Sequence, residues 1–130
     1  MLSWTFCSTG NLTPRPAAVW AAVETGNSDG MLAAHAITTI HSLIRKEMGA
    51  IKAKRIVLAI LRVFEVAAVD GTVVQEALQL PLSDFEDSVT AAAARLAGCE
   101  CIVTRDPKGF RGSPVRSLTP EAVMPLLAKE

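Results

Sequence analysis

The sequence predicts an α/β domain in which a parallel sheet is wrapped by helices. Three observations predict it. Helical and strand-like segments alternate at short spacing from Met31 onward. The strand-like segments "MLAAHA", "FEVAAVD" and "CECIVT" are short and apolar. The helical segments end on stop signals, at Gly26, Gly49 and Gly98. In such a fold, ligands are expected at the carboxyl ends of the strands.

Each element has its own warrant. Residues 1–16 have no clean period, and Gly10, Asn11, Pro14 and Pro16 mark a loop. Ala17 to Gly26 reads as a helix closed by Gly26, and "NSDG" as a turn. Met31 to Ala36 reads as a buried strand. A helix then starts at Thr38 or Thr39 and runs through Met48, stopped by Gly49. Another spans Ala50 to Phe64, apolar at Ile51, Ile56, Leu58, Ile60 and Leu61. After the strand "FEVAAVD", Asp70 caps a helix through Leu78, and Pro81 breaks that helix. Ser83 or Asp84 caps the next helix, an alanine-rich one ending at Gly98. "CECIVT" is a strand by its β-branched and apolar content. "GSPVRSL" holds one more short strand, and "TPEAVMPLL" a closing helix with Thr119 as cap and Pro120 at its first position. No convincing apolar strand precedes the first helix, although folds of this type usually begin with a central one.

The composition sets bounds. A chain of 130 residues fits a single domain, residues 1–130. At that size roughly two-thirds of the unfolded surface can be buried. Lys plus Arg equals Asp plus Glu, 13 each, so no global basic field draws in nucleic acid or membrane. A local basic group does stand out, at Arg45, Lys46, Lys52, Lys54 and Arg55. No apolar run nears the ~20 residues of a membrane span, and the first residues lack the pattern of a signal peptide. Cys7, Cys99 and Cys101 have no metal or redox spacing. They read as reduced thiols of a cytoplasmic protein.

Chemistry concentrates in one stretch, "LPLSDFEDSVTAAAARLAGCECIVTRD", Leu80 to Asp106. Glu86 and Asp87 fall in the first turn of the alanine-rich helix, where the helix dipole favours negative charge by a few tenths to one kcal/mol each. Arg105 and Asp106 follow the strand that ends at Thr104. A helix packed antiparallel to that strand brings its N-terminus to the strand's carboxyl end, so Asp87 and Asp106 are expected to converge. Carboxylates held close share a proton or a divalent cation. Mg²⁺ or Mn²⁺ with oxygen ligands could activate water and stabilise charge on a scissile phosphate. Arg105, Lys108 and Arg111 could face a phosphate beside Asp106. Capping and the dipole account for Asp84 and Glu86, Asp106-Pro107 resembles a turn start, and the basic trio reads as a solvated loop. His35 and His41 read as packed polar residues, and Ser88 and Thr90 lack a His–Asp pair for nucleophilic catalysis.

The run "LPLSDFEDSVTAAAARLAGCECIVTRDPKGF", followed by "GSPVRSLTPEAV", closely resembles the second half of a bacterial PIN domain, of the branch with a "DFEDA" helix start and a "TRN-x-x-DF" strand end. "AITTIHSLIRKEMG" and "VFEVAAVDGTVVQEAL" are similar to earlier parts of that branch, so the resemblance covers residues 17–127. It implies a three-layer α/β/α sandwich with a parallel sheet. It also implies an Mg²⁺- or Mn²⁺-dependent ribonuclease acting on single-stranded RNA, the toxin of a toxin–antitoxin pair. By position the resemblance assigns catalysis to Asp87 and Asp106 and metal binding to Asp87, Asp106 and Asp84; Thr104 matches the polar residue that ends the family's strand and, with Arg105 and Lys108 of the basic cluster, is expected to contact RNA. An antitoxin protein and a homodimer are the partners it implies, the apolar "MLAAHAITTIHSLI" and "IVLAILRVF" stretches being candidates for the interface.

The departures from the family pattern are equally specific. A PIN domain begins with a central strand ending in a catalytic Asp. Here no Asp occurs before Asp29, and Leu2 to Phe6 reads as the start of the first helix, so the N-terminal strand is expected to be missing or replaced. The family's second acid falls near Thr39, and its later Asp falls on Gly109, with Asp106 as its replacement. Met1 is accordingly expected to be internal to a longer reading frame. The alternative function is a truncated or catalytically inactive PIN scaffold that binds RNA or a protein partner without cleaving.

Overall fold

In a computed structural model, residues 2–6, 28–104, 106–119 and 121–122 are described. Strand β1 is Leu2–Phe6, and β2 is Ser28–Ala33. Helices α1, Ala34–Met48, and α2, Ala50–Val63, form a hairpin that leads to β3, Glu65–Ala67. Helix α3 is Gly71–Ala77 and α4 is Phe85–Leu96. Then come β4, Cys101–Val103, a 3₁₀ turn at Pro107–Phe110, and β5, Arg116–Leu118. The expected helix at Ala17–Gly26 and most of the closing helix lie outside the described residues. The start of the latter conforms to expectation, with Thr119 Oγ1 accepting from the Ala122 N–H at 3.1 Å.

The five strands form one sheet in the order β3-β2-β1-β4-β5, every neighbouring pair parallel. This corrects the reading of the first residues. Leu2–Phe6 is a strand, not the start of a helix, and it fills the central slot expected to be missing or replaced. Leu2 to Thr5 pair with Ser28 to Met31 on one side, and Trp4 to Phe6 pair with Cys101 to Val103 on the other. Trp4, Thr5 and Phe6 are aromatic or β-branched, which suits a strand. Five residues are too few to show a period, so pairing on both sides decides the conformation. An empty slot there would orphan the facing backbone groups of β2 and β4.

Two boundaries also differ from expectation. Strand β2 begins at Ser28 and ends at Ala33, because its register against β1 draws in the "SDG" residues that resemble a turn. Helix α1 therefore starts at Ala34, four residues before Thr38. The hydroxyls of Thr38 and Thr39 bond the His35 carbonyl, at 2.7 and 3.4 Å, and so act inside the helix rather than as its cap. Elsewhere the local signals hold. Gly49, at φ +92°, separates α1 from α2 and donates its N–H to Arg45 O at 2.9 Å. Asp70 caps α3 by accepting from Val73 N–H at 3.1 Å.

The sheet is covered on both faces. Along β4, Cys101 and Val103 face a cluster built by Leu32, Ile40, Ile44, Ala53 and Ile60 of β2, α1 and α2. Ile102 faces the other way, onto Ala91 and Ala94 of α4 with Phe110 and Val115. Each large aliphatic side chain buried there stabilises the fold by roughly 1.5–3 kcal/mol. The result is the three-layer α/β/α sandwich, with α1 and α2 on one face and α4 on the other. No helix among the described residues is long and apolar enough to cross a membrane.

Candidate active site

In a parallel sheet of this order the strand connections run outward in both directions from β1, and folds of this type place ligands at such a switch, beyond the carboxyl ends of the strands. The acids lie at the carboxyl end of β4. Thr104 follows β4, and its backbone N–H donates to Leu118 O at 2.9 Å, which ties the exit of β4 to β5. Its Oγ1 accepts from the Asp106 N–H at 3.1 Å. That bond turns the chain so that Asp106 starts the 3₁₀ turn. The Asp106 carboxylate caps no N–H of this turn.

Helix α4 delivers the second acid. Asp84 is its N-cap, with Oδ1 accepting from the Asp87 N–H at 3.0 Å. This fixes Asp87 in the first turn, facing the 3₁₀ turn. A side-chain carbon built on Gly109 would lie 2.9 Å from Asp87 Oδ2 and 3.4 Å from Asp106 Oδ2. The two carboxylates therefore close on one point above the Cα of Gly109. Their crowding has an electrostatic signature. Burial first, then the negative charges of Asp84, Asp106 and Glu86, push the Asp87 carboxyl up to about 6.

The expected site residues thus separate into groups. Asp87 and Asp106 converge. Asp84 stands next to them, with one oxygen engaged as a helix cap. Lys108 is exposed on the 3₁₀ turn. Arg105 lies outside the described residues. Thr104, expected among the RNA-contacting residues, is 1% exposed, so it works behind the turn as the anchor of Asp106. His35 is packed against α4, Nε2 lying 3.2 Å from Thr90 Oγ1, while its Nδ1 is buried without a hydrogen-bond partner. Cys99 and Cys101 form no disulfide, and burial pushes the Cys101 thiol up to about 11, which keeps it protonated and unreactive. A cavity of about 300 Å³ between α3 and α4 is lined by Ala68, Asp70 and Ala93 among others, and includes none of the converging acids.

Two carboxylates that meet over a residue with no side chain suit a hard divalent cation, which keeps several waters and takes few protein ligands. The excess of negative charge at Asp87 points the same way. Among the described residues, no group of three or more His, Cys, Asp or Glu is arranged to hold a metal ion. The donor type fits, and the donor number is two.

A parallel three-layer sandwich with an acid pair outside its central strands defines a class of α/β domain with a polar site at the switch of strand order. The chain belongs to the PIN domain family, whose model matches residues 1–108. Among solved structures it is similar to the DNA-bound VapBC of Salmonella typhimurium, with a TM-score of 0.71 at 16% identity over 92% of this chain and 99% of that one. It is similar to FitAB bound to a DNA fragment, with a TM-score of 0.68 at 17% identity over 90% and 94%. A third is VapC20 of Mycobacterium tuberculosis, described as a toxin cleaving the sarcin–ricin loop, with a TM-score of 0.57 at 18% identity over 77% and 87%. No curated protein matches. The fold is shared with these structures.

Proposed function

We propose that this protein is a toxin-type PIN endoribonuclease that hydrolyses phosphodiester bonds in single-stranded RNA, in the cytoplasm. The observation that carries the reading is the convergence of Asp87 and Asp106 over Gly109, beside the carboxyl end of β4. Asp87 and Asp106 would hold Mg²⁺ or Mn²⁺, with Asp84 beside them. A divalent cation bound there would supply an activated water and offset charge on the phosphate. The chain's own residues do the rest. Asp84 fixes Asp87 through the helix cap, Thr104 fixes Asp106, and Lys108 with Arg105 contacts the RNA phosphates. The likeness to the VapBC and FitAB structures supports a cognate antitoxin and a homodimer as partners.

One observation favours a second reading, a PIN scaffold that binds RNA or protein without cutting. The described residues offer two converging acids rather than three, and no Asp precedes Asp29 in the chain. Cleavage of a labelled single-stranded RNA in Mn²⁺, by the parent and by Asp87→Asn purified identically, separates the two. Cleavage by the parent alone is expected. Equal cleavage by both would remove Asp87 from the mechanism, and none by either would favour the scaffold.

A further inference from the structure

The closing of two carboxylates over one glycine says something about the glycine. Gly109 is the third residue of the 3₁₀ turn Pro107–Phe110, and its N–H donates to Asp106 O at 3.1 Å. It is not among the glycines with positive φ, so its backbone conformation is open to any residue. Space is what restricts it. A Cβ would meet Asp87 Oδ2 at 2.9 Å, closer than such atoms approach, and Asp106 Oδ2 at 3.4 Å. Something would have to shift, and the surroundings decide what. The turn cannot back away, because Phe110 is buried at 4% exposure and the Asp106 N–H is held by Thr104 Oγ1. Asp87 Oδ2 is the far end of a flexible side chain on a half-buried residue, and it can give way. A methyl group at 109 is therefore cheap for the fold and disruptive for the acid pair.

We infer that Gly109 is a positioning residue: its missing side chain is what lets the Asp87 and Asp106 carboxylates reach a common point. This rests on the proposed cation site for its functional consequence, though not for its geometry.

The test is Gly109→Ala in the full chain, with two readouts. The first is the carboxyl ¹³C resonances of Asp87 and Asp106 without metal. The second is Mn²⁺ affinity measured by paramagnetic resonance. Both resonances are expected to move while the melting temperature stays close to that of the parent. Mn²⁺ affinity should fall about tenfold, the scale on which residues supporting metal ligands act. Unmoved resonances, or Mn²⁺ bound equally by parent and variant, would overturn the inference. Moved resonances in a protein whose parent takes up no Mn²⁺ would leave Gly109 in its role and remove the cation reading instead. Should Gly109→Ala fail to fold, the double variant Gly109→Ala/Asp87→Ala decides. Recovery of folding identifies Asp87 as the obstructing group, and continued failure assigns the glycine to the backbone and overturns the inference.

Discussion

Helices α4 and α2 both pack on the sheet, and they use it differently. In α4 every residue from Ser88 to Ala94 is buried, whereas α2 buries Ala53 and Ile60 and exposes Ile51, Leu58 and Leu61. The reason is composition. Four consecutive alanines let α4 sit close between the sheet, α3 and the 3₁₀ turn, and an Arg95–Glu76 ion pair ties it to α3. The larger side chains of α2 fill one stripe of core and leave the rest outside, interleaved with Lys52, Lys54, Arg55 and Arg62. A helix enclosed from Ser88 to Ala94 has little freedom there, which gives the more exposed first turn a firm base for Asp87. A helix buried along one stripe leaves a surface that the described residues do not cover.

That contrast can be broken by substitution. The largest effect is expected at the centre of α4. Ala92→Leu puts three extra carbons where exposure is 0%, and should cost about 3 kcal/mol in denaturant unfolding. A loss well under ~1 kcal/mol would mean that α4 is looser than its burial implies.

A smaller effect is expected at its first turn. Because the folded state raises the Asp87 carboxyl from 3.8 to about 6, the folded protein holds a proton there that the unfolded chain releases. Stability from this group is complete below pH 3.8 and is lost as pH rises through about 6. Asp87→Asn should therefore stabilise the protein above that range, by about 1 kcal/mol after allowing for solvent screening of a half-exposed group. The gain should vanish at the acid end of the same melting series. A gain that persists there would assign the effect to something other than charge.

The smallest effect belongs to α2. Leu58→Gln keeps helix propensity and removes an exposed apolar group, so the stability of the isolated chain should stay within about 0.5 kcal/mol of the parent. A larger loss would show that α2 is covered in solution.

Much of α4 and its surroundings could be read from residues alone. Asp84 as cap, the alanine run and Gly98 are local signals, and the structure follows them: Gly98 adopts φ +77° and Cys99 N–H closes the helix on Ala94 O at 2.9 Å. The approach of Asp87 to Asp106 was legible too, because a helix and the strand after it must run antiparallel. Strand β1 was not legible, since its conformation comes from partners far away in the chain. Thr38 and Thr39 misled for a related reason. A threonine serves both as a cap and inside a helix, and the choice depends on where β2 ends. The demand for glycine at 109 was hidden as well, because it arises from two carboxylates that meet only once the fold has formed.

The position of β1 has a consequence in time. Its two neighbours differ greatly in how soon they become available: Ser28 is nearby in the chain, and Cys101 is not. At roughly 5–20 residues per second of synthesis, the β4 partner of Trp4 emerges on the order of 5–20 s after it. For that interval the middle of the sheet has one bare edge, and the strand whose exit carries Thr104 and Asp106 is not yet in place. Both change together when Cys101–Val103 docks. Folding of the core and assembly of the site are thus one late event.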